Sequence, residues 1–293
     1  MTASHAPTPA SAPQAELPLI FRVTASGRRL LPRAGVTLLH RSIIARPLRR
    51  ALVSAAPAGA RQVTVCGGRM EGATLHIDLS REKYYWLGTH EERVQEALAR
   101  LVRPGFVVYD IGAHIGFFSL LCGRLAGGSG RVFAFEPRAE NIARLRNNIQ
   151  ANAARNVEVV AAAASDSTGE ASFAMHESTL EGYLVPDGDA SAVRVRTESV
   201  DSLVAGGMPP PDLMKVDVEG AEAAVIRGAA RTIDAHRPLM LLEVHSVEAG
   251  RAVAAAMPRR YLFRDIGTGR DFAEPLAPAH YVAQPVGGRD GAL

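Results

Sequence analysis

The stretch PGFVVYDIGAHIGFFSL, residues 104–120, joins a continuous apolar run to a tight turn and then to a helical pattern. The apolar run ends in an acid, and the turn contains two glycines four positions apart, Gly112 and Gly116. Glycine lets a backbone turn sharply and lets a ligand approach it closely. A helix that begins right after such a turn points free N–H groups at the ligand. The stretch therefore predicts a strand, a ligand-binding turn and a helix.

The alternation of strand and helix patterns continues along the chain. Further apolar runs lie at 131–136, 157–162, 213–218 and 238–245, and closing strands are predicted at 261–265 and 281–284. Helical patterns lie at 117–126, 139–153, 221–235 and 247–256. Apolar strands separated by helices are typical of parallel sheets. We therefore expect an α/β fold with a mostly parallel seven-stranded sheet and helices on both faces.

The chain before this region has a different pattern. Residues 62–80 contain two short alternating runs with glycines between them, which predict a hairpin, and a helical pattern follows to residue 102. We divide the chain into a disordered tail at 1–18, a basic segment at 19–61, a hairpin and helix cap at 62–103, the sheet domain at 104–285 and a flexible tail at 286–293.

Composition places the chain among ordinary globular proteins. It has 293 residues, of which 47% are hydrophobic and 22% charged. The sequence contains no run of 18 uncharged apolar residues, so no membrane-spanning helix is predicted. Its first residues lack the pattern of a secretory signal. The two cysteines, Cys66 and Cys122, form no disulfide framework or metal motif. These features predict a cytoplasmic protein.

Charge is distributed unevenly along the chain. Residues 1–61 carry nine arginines and one acid, Glu16, although the whole chain has a net charge of only +3. We interpret this segment as a solvated basic face, with peripheral contact to a membrane surface or polyanion as the alternative. No aromatic residues lie between its arginines, so a nucleic-acid partner is not predicted.

Four of the five apolar runs end in an acid, namely Asp110, Glu136, Asp217 and Glu243. Parallel sheets bind ligands beyond the carboxyl ends of their strands, so these acids are predicted to meet at one edge. Glu136 comes twenty positions after Gly116, where an acid accepts the hydroxyls of a ribose. The sequence therefore predicts a cofactor that contains adenosine.

The turn distinguishes between two such cofactors. A dinucleotide needs GxGxxG under its pyrophosphate, whereas this turn reads DxGxxxG, with Ala113 and His114 where close phosphate approach favours glycine. The carboxylate of Asp110 would repel a pyrophosphate and favour a cation such as a methionine amino group. The turn therefore favours S-adenosyl-L-methionine over NAD as the cofactor. The predicted cofactor-binding residues of the turn and the second strand end are Asp110, Gly112, Ala113, His114, Gly116, Glu136 and Pro137.

Residues 104–245 resemble the FkbM family of SAM-dependent methyltransferases. The motifs that carry the resemblance are PGFVVYDIGAHIGFFSL, GRVFAFEPRAENIARLRNNIQAN, VRVRTESVDSL, DLMKVDVEGAEAAVIRGA and PLMLLEVH, and YWLGTHEE at 85–92 resembles the segment before the domain. KVDVEGAE, residues 215–222, is the most specific of them. His114 stands where asparagine is common in the motif, a tolerated change because only the backbone is needed there.

The resemblance implies a Rossmann-like class I methyltransferase fold and in-line methyl transfer to a hydroxyl of a sugar or secondary metabolite. It implies that Ser165 and Asp166 contact the adenine and that Asp217 lies beside the methyl group. A neutral hydroxyl is a poor nucleophile and needs a base or a cation. The predicted catalytic residues are Asp217 and Glu219 as base or orienting acid, His245 as base, and Lys215.

Several alternatives remain open at this point. His245 is interpreted equally well as a histidine hydrogen-bonded under a loop. Asp217, Glu243 and His245 could form a divalent metal site, but their spacing is not diagnostic and no metal site is assigned. Glu222 could be an acid favoured by a helix N-terminus. His90 and Glu91 either reach over the cofactor or start a surface helix.

The acceptor region and the function class also have alternatives. Tyr84, Tyr85 and Trp86 either line an acceptor pocket or pack the N-terminal helix. Residues 176–192 are either a substrate loop or a surface insertion. The competing functions are an NAD-type oxidoreductase and a non-catalytic protein that binds SAM or a partner. The sequence does not identify the acceptor or the oligomeric state.

Overall fold

The computed structural model describes residues 59–175, 182–185, 192–257, 261–274 and 278–286. The chain forms two compact units, Met1–Thr89 and His90–Leu293. The predicted tail at 1–18, nearly all of the basic segment, most of the loop at 176–192 and nearly all of the tail at 286–293 lie outside the described residues. Those predictions stay predictions.

In the first unit, strands β1 (Arg61–Thr64) and β2 (Thr74–Ile77) pair antiparallel. This pairing confirms the predicted hairpin. Helix α1 (Leu79–Leu87) follows β2 directly. The side chain of Asp78 caps its first turn, and Gly88 ends it in the left-handed conformation that glycine adopts without strain.

The second unit alternates strands and helices. Its strands are β3 (Val107–Ile111), β4 (Arg131–Phe135), β5 (Val157–Val160), β6 (Ala163–Ala164), β7 (Gly169–Met175), β8 (Gly182–Val185), β9 (Val193–Glu198), β10 (Leu213–Val216), β11 (Leu239–Val244), β12 (Tyr261–Asp265), β13 (Asp271–Phe272) and β14 (Ala279–Pro285). Its helices are α2 (Glu92–Leu101), α3 (Phe117–Ala126), α4 (Ala139–Ala151), α5 (Val200–Ala205), α6 (Glu222–Gly228), α7 (Ala230–His236) and α8 (Val247–Ala256).

The main sheet has eight strands in the order β13-β12-β14-β11-β10-β3-β4-β5. Strands β11, β10, β3, β4 and β5 are parallel to their neighbours in this series, and β14 runs antiparallel between β11 and β12. The prediction of a mostly parallel α/β sheet is confirmed. The eighth strand, β13, has only two residues, which is too short to leave a periodic pattern in the sequence.

Helices cover both faces of this sheet. Successive residues of a strand point to opposite faces, and all four residues of β10 are buried. Helix α2 belongs to this second unit, although the sequence analysis placed the boundary at 103/104. Val94, Leu98 and Leu101 form its buried face, so the helix is part of the unit's core and not of a separate cap.

A second, four-stranded sheet in the order β6-β9-β7-β8 was missed by the sequence analysis. The signal was present in β9, whose sequence VRVRTE alternates as a half-buried strand does. The predicted helix at 221–235 is also broken, at Ala229. Just before the break, a Cβ on Gly228 would lie 1.9 Å from the carbonyl oxygen of Ser165, so the helix approaches that backbone very closely.

Candidate active site

The carboxyl ends of the central strands bring the predicted acidic residues to one edge of the sheet. In the strand registers, Asp110 lies beside Lys215 and Glu243 lies beside His280. Asp217 follows β10 directly, and its backbone N–H donates to the carbonyl of Ile111 (3.1 Å). The structure therefore brings the ends of β3, β10 and β11 together at one edge of the sheet, as predicted.

The glycine turn after β3 touches this edge. Gly112 has φ +84°, and a Cβ there would lie 1.8 Å from the carbonyl oxygen of Asp217. A Cβ on Gly116, with φ +86°, would lie 2.3 Å from Leu145 Cδ1. Both glycines are thus required by backbone conformation and by space. The turn that the sequence assigned to the cofactor is pressed against the backbone of a predicted catalytic residue.

Two other residues of the site adopt the left-handed conformation although they have side chains. They are His114 (φ +50°) in the turn and Glu219 (φ +48°) after β10. Such conformations cost about 1 kcal/mol or more each and concentrate at functional sites. Gly220 (φ +92°) follows Glu219, so the backbone bends sharply here and begins α6 two residues later.

Glu136 links the turn to the end of β4. Its Oε2 accepts a hydrogen bond from the backbone N–H of His114 (2.9 Å), and its Oε1 accepts from the backbone N–H of Arg138 (3.0 Å) and from Asn141 Nδ2 (3.2 Å). Burial raises the pKa of Glu136 to about 7, against the effect of these donors. The carboxylate is fixed, and Oε2 keeps a lone pair for a further donor.

The residues predicted to contact adenine lie after β6. The backbone N–H of Ser165 donates to the carbonyl of Glu198 (2.9 Å) in β9. The carboxylate of Asp166 forms a surface ion pair with Arg227 of α6 (2.9 Å). The structure thus gives both residues partners within the protein, and their contact with a nucleoside stays a prediction.

Lys215 forms the buried centre of the site. Its Nζ lies 3.1 Å from Asp217 Oδ2, 3.7 Å from Asp110 Oδ1 and 5.1 Å from the centroid of the Phe118 ring. Asp110 is fully buried, and its Oδ2 accepts a hydrogen bond from Ser119 (2.5 Å). The carboxylate of Asp110 therefore points at Lys215 and Ser119. A direct contact with a methionine amino group would require this carboxylate to become exposed at the turn.

The charges of this group support one another. Burial alone lowers the pKa of Lys215, but Asp217 and Asp110 outweigh burial and raise it above its usual range. Burial raises the pKa of Asp217, and Lys215 outweighs this effect and holds it below its usual range. Lys215 is therefore a fixed cation and Asp217 an ionised carboxylate. A proton-accepting role for Lys215 does not fit this arrangement.

His245, the predicted base, is surrounded by carboxylates. Its Nδ1 lies 2.5 Å from Glu222 Oε1, and its Nε2 lies 3.3 Å from Glu219 Oε2, 3.6 Å from Glu243 Oε1 and 3.8 Å from Asp217 Oδ1. Burial lowers the pKa of His245, but hydrogen bonding to Glu219 and Glu222 outweighs it and raises the pKa to about 11. With these partners alone, the imidazole is protonated and cannot accept a proton at neutral pH.

A neighbouring group was only partly foreseen. His280 Nε2 lies 3.1 Å from Glu243 Oε2 and 3.4 Å from Glu91 Oε2, and His90 Nε2 lies 3.2 Å from Glu91 Oε1. His280 was not predicted, because only the insertion of β14 beside β11 brings it to Glu243. The ring of His90 packs against Phe117, with centroids 5.8 Å apart.

Two sets of side chains in the described part of the chain converge closely enough to hold a metal ion. Asp217, Glu243 and His245 form one set, and Glu91, Glu243 and His280 form the other. In each set the ligand atoms lie within 4.8 Å of one another. The sequence analysis assigned no metal but named the first set as an alternative.

The residues present fit the predicted cofactor. The turn leads directly into the start of α3, and Glu136 holds an acceptor oxygen beside the turn at the next strand end. Asp217, which contacts the turn, provides an ionised carboxylate on the adjacent strand. This combination suits a nucleoside that carries a cationic group.

Comparison with known proteins identifies the family. Residues 110–267, more than half of the chain, match the Methyltransferase FkbM domain. The chain is 31% identical over 157 residues to the hexuronic acid methyltransferase AglP of Haloferax volcanii, covering 53% of this chain and 63% of that protein. The match therefore spans less than two thirds of the Haloferax protein.

A second relative matches over more of its length. The 31-O-demethyl-FK506 methyltransferase FkbM of Streptomyces tacrolimicus is 28% identical over 229 residues, covering 66% of this chain and 86% of that protein. Among solved structures, the methyltransferase FkbM of Methylobacillus flagellatus has a TM-score of 0.41 at 18% identity, covering 68% of this chain and 52% of that chain.

These findings exclude one of the functions left open by the sequence. The family match begins at Asp110 and covers the glycine turn, Glu136 and the KVDVEGAE segment, so the oxidoreductase alternative is wrong. No helix among the described residues is long and apolar enough to cross a membrane. The cofactor is S-adenosyl-L-methionine, as predicted. The chain belongs to the FkbM family of methyltransferases.

Proposed function

We propose that this protein transfers the methyl group of S-adenosyl-L-methionine to a hydroxyl oxygen of a small molecule, either a sugar or a secondary metabolite. One observation carries the proposal. The glycine turn of the cofactor site lies directly against Asp217, so the cofactor site and the carboxylate cluster share one edge of the sheet. The named relatives, which act on a hexuronic acid and on 31-O-demethyl-FK506, support a small-molecule acceptor.

In this proposal the turn and Glu136 bind the cofactor. Gly112 and Gly116 let the backbone of the turn approach the ligand closely, and Glu136 accepts from the ribose. Lys215 and Ser119 hold Asp110 in place behind the turn. The cofactor supplies a methyl group on a positively charged sulfur, so one C–O bond forms as one C–S bond breaks and its electron pair stays on sulfur.

The acceptor hydroxyl must lose its proton during this reaction. Asp217 and Glu219 are the groups positioned to accept and orient it, since both carboxylates are partly exposed at the cluster. His245 lies between them and is protonated with its present partners, so it fixes their orientation and does not act as the base. This assignment revises the role that the sequence analysis gave to His245.

The test is transfer of a carbon-13 methyl group from labelled cofactor to a panel of hydroxylated acceptors. The panel contains uronic acids, neutral hexoses and a hydroxylated macrolide. We expect a product whose methyl carbon has the chemical shift of an ether, and loss of product in Asp217→Asn. A product methylated only on nitrogen or carbon would contradict transfer to oxygen. A protein that binds the cofactor but methylates nothing in the panel would favour the non-catalytic alternative.

A further inference from the structure

Three carboxylates converge on one ring nitrogen in the active site. His245 Nε2 lies 3.3 Å from Glu219 Oε2, 3.6 Å from Glu243 Oε1 and 3.8 Å from Asp217 Oδ1. Ligand atoms bound to one small divalent cation at about 2.1 Å lie roughly 3 Å apart. Small side-chain rotations would therefore bring these atoms to the spacing of a coordination sphere.

The opposite side of the imidazole is held by a buried carboxylate. Nδ1 of His245 lies 2.5 Å from Oε1 of Glu222, a residue with no exposed side-chain surface. The backbone N–H of Gly220 also donates to Glu222 Oε1 (3.0 Å) and fixes that oxygen. With the N–H of Nδ1 donated to Glu222, Nε2 faces the three carboxylates and is the atom from which a bound cation would displace the proton. Metal-binding histidines are oriented by a carboxylate in the same way.

The ligand side of the cluster is open and the orienting side is closed. The side chains of Asp217, His245 and Glu243 are 23%, 23% and 25% exposed, whereas that of Glu222 is 0% exposed. An ion bound here would keep positions for water or for an oxygen of the acceptor. A salt bridge that only stabilises the fold does not require partly exposed side chains on one side of the histidine and a fully buried carboxylate on the other.

The charge of the cluster is also incomplete. Lys215 is shared between Asp110 and Asp217, and His245 is a single cation among Glu219, Glu222 and Glu243, so the carboxylates outnumber these two cations. The other oxygen of Glu243, Oε2, lies 3.1 Å from His280, which holds the carboxylate with Oε1 facing His245. Carboxylate oxygens suit Mn²⁺, and the imidazole ligand favours a divalent transition-metal ion over Mg²⁺.

We propose that Asp217, Glu243 and His245 bind a divalent transition-metal ion such as Mn²⁺, with Glu222 as the positioning residue for His245. The cation would hold the acceptor's hydroxyl oxygen and favour its deprotonated form, and with Asp217 as a ligand the proton would go to Glu219. That last part rests on the proposed function, whereas the cation site itself does not.

The test is a titration of the full chain with Mn²⁺ alone. Electron paramagnetic resonance measures the Mn²⁺ that remains free, and the bound amount is the difference. We expect a single site per chain in the wild type. His245→Gln and Glu243→Gln should weaken binding strongly, and Glu222→Gln should weaken it by about tenfold. His236→Gln and Glu158→Gln, which alter exposed residues outside the cluster, serve as matched controls and should bind as the wild type does. A cooperative melt of each variant shows that it is folded.

His280→Gln separates the two candidate sets, because only the second set contains His280. This variant should keep the Mn²⁺ site, because the glutamine amide can still donate to Glu243 Oε2 in place of His280. Absence of Mn²⁺ binding in the wild type, unchanged binding in folded His245→Gln, or loss of the site in His280→Gln would each overturn the proposal. Methyl transfer is measured separately with and without a chelator. Methyl transfer that is unaffected by the chelator, in a protein that binds no Mn²⁺, would support the proposed function and contradict the cation site. Mn²⁺ binding without any methyl transfer would support the cation site and contradict the proposed function.

Discussion

Glu222, fully buried at the start of α6, lies 2.5 Å from the imidazole Nδ1 of His245 at the end of β11. This contact joins the KVDVEGAE segment to the LLEVH segment and turns the other ring nitrogen toward Asp217, Glu219 and Glu243. The sequence analysis considered Glu222 only as an acid at a helix N-terminus. The structure makes it the residue that orients the histidine of the active site.

Gly112 provides a test of the cofactor turn. Gly112→Ala should abolish SAM binding and destabilise the protein, because its Cβ would lie 1.8 Å from the carbonyl of Asp217 and its φ is +84°. Gly127→Ala is the matched control, since Gly127 also has positive φ but no atom within 4 Å of the added Cβ. The control should lose only the strain cost of about 1 kcal/mol. Urea unfolding and calorimetry measure both effects, and equal behaviour of the two variants would argue against the close contact.

The ionisation of Glu136 predicts that the affinity for SAM depends on pH. Its pKa of about 7 means that the carboxylate gains charge as the pH rises from about 6 to about 8. An ionised acceptor binds hydroxyl donors more strongly, so SAM affinity should rise over this range by up to about tenfold. Burial lowers the pKa of the adjacent His114 to about 3, so His114 stays neutral throughout this range.

Glu136→Gln is the control for this pH dependence. The amide keeps the shape but cannot ionise, so the pH-dependent part of the affinity should disappear. Calorimetric titrations at several pH values give the comparison. The same slope in the variant and the wild type would assign the effect to another group.

Lys215 provides a test of the buried ion group. Lys215→Met should lower the free energy of unfolding by about 3–5 kcal/mol, because it leaves Asp110 and Asp217 without their shared cation. Adding Asp110→Asn to this variant should restore part of the loss. Lys83→Met, at the only other lysine in the sequence, is the control and should have little effect. A Lys215→Met protein with wild-type stability and no activity would instead support the direct catalytic role predicted from sequence.

Glu219 and Asp217 provide a test of the acceptor side. Glu219→Gln should lower kcat by about a hundredfold or more, because it removes a carboxylate positioned to accept the hydroxyl proton. SAM affinity should change little, since the residues that bind the cofactor are untouched. Single-turnover rates and calorimetry separate the two quantities. If the variant lost cofactor affinity and kept its rate once saturated, Glu219 would belong to the cofactor site.

Much of the sheet was predictable because its strands leave a strong signal. Helices α3 and α8 have the bounds that the sequence predicted, and the apolar runs became strands to within about two residues at each end. Buried parallel strands are continuous apolar runs, and that pattern is hard to confuse with a loop. The second sheet was missed because its longer strands, GEASFAM and VRVRTE, are not the continuous apolar runs of a buried parallel strand.

The site was predictable as a set of residues but not as an arrangement. Strand ends place Asp110, Glu136, Asp217 and Glu243 at one edge, which topology alone requires. Which carboxylate is buried depends on side-chain packing, and spacing carries no information about it. The sequence therefore did not predict that the carboxylate of Asp110 faces Lys215. It also did not predict His280, which lies on β14, the strand that pairs antiparallel with β11.

The most direct measurement of the central claim is calorimetric titration of S-adenosyl-L-methionine and S-adenosylhomocysteine into the full chain and into Glu136→Ala. We predict that both ligands bind the wild type at a single site and that the folded variant binds them at least about tenfold more weakly, because it lacks the acceptor for the ribose. A folded wild type that binds neither ligand, or a variant that binds them as tightly as the wild type, would contradict the cofactor site described above.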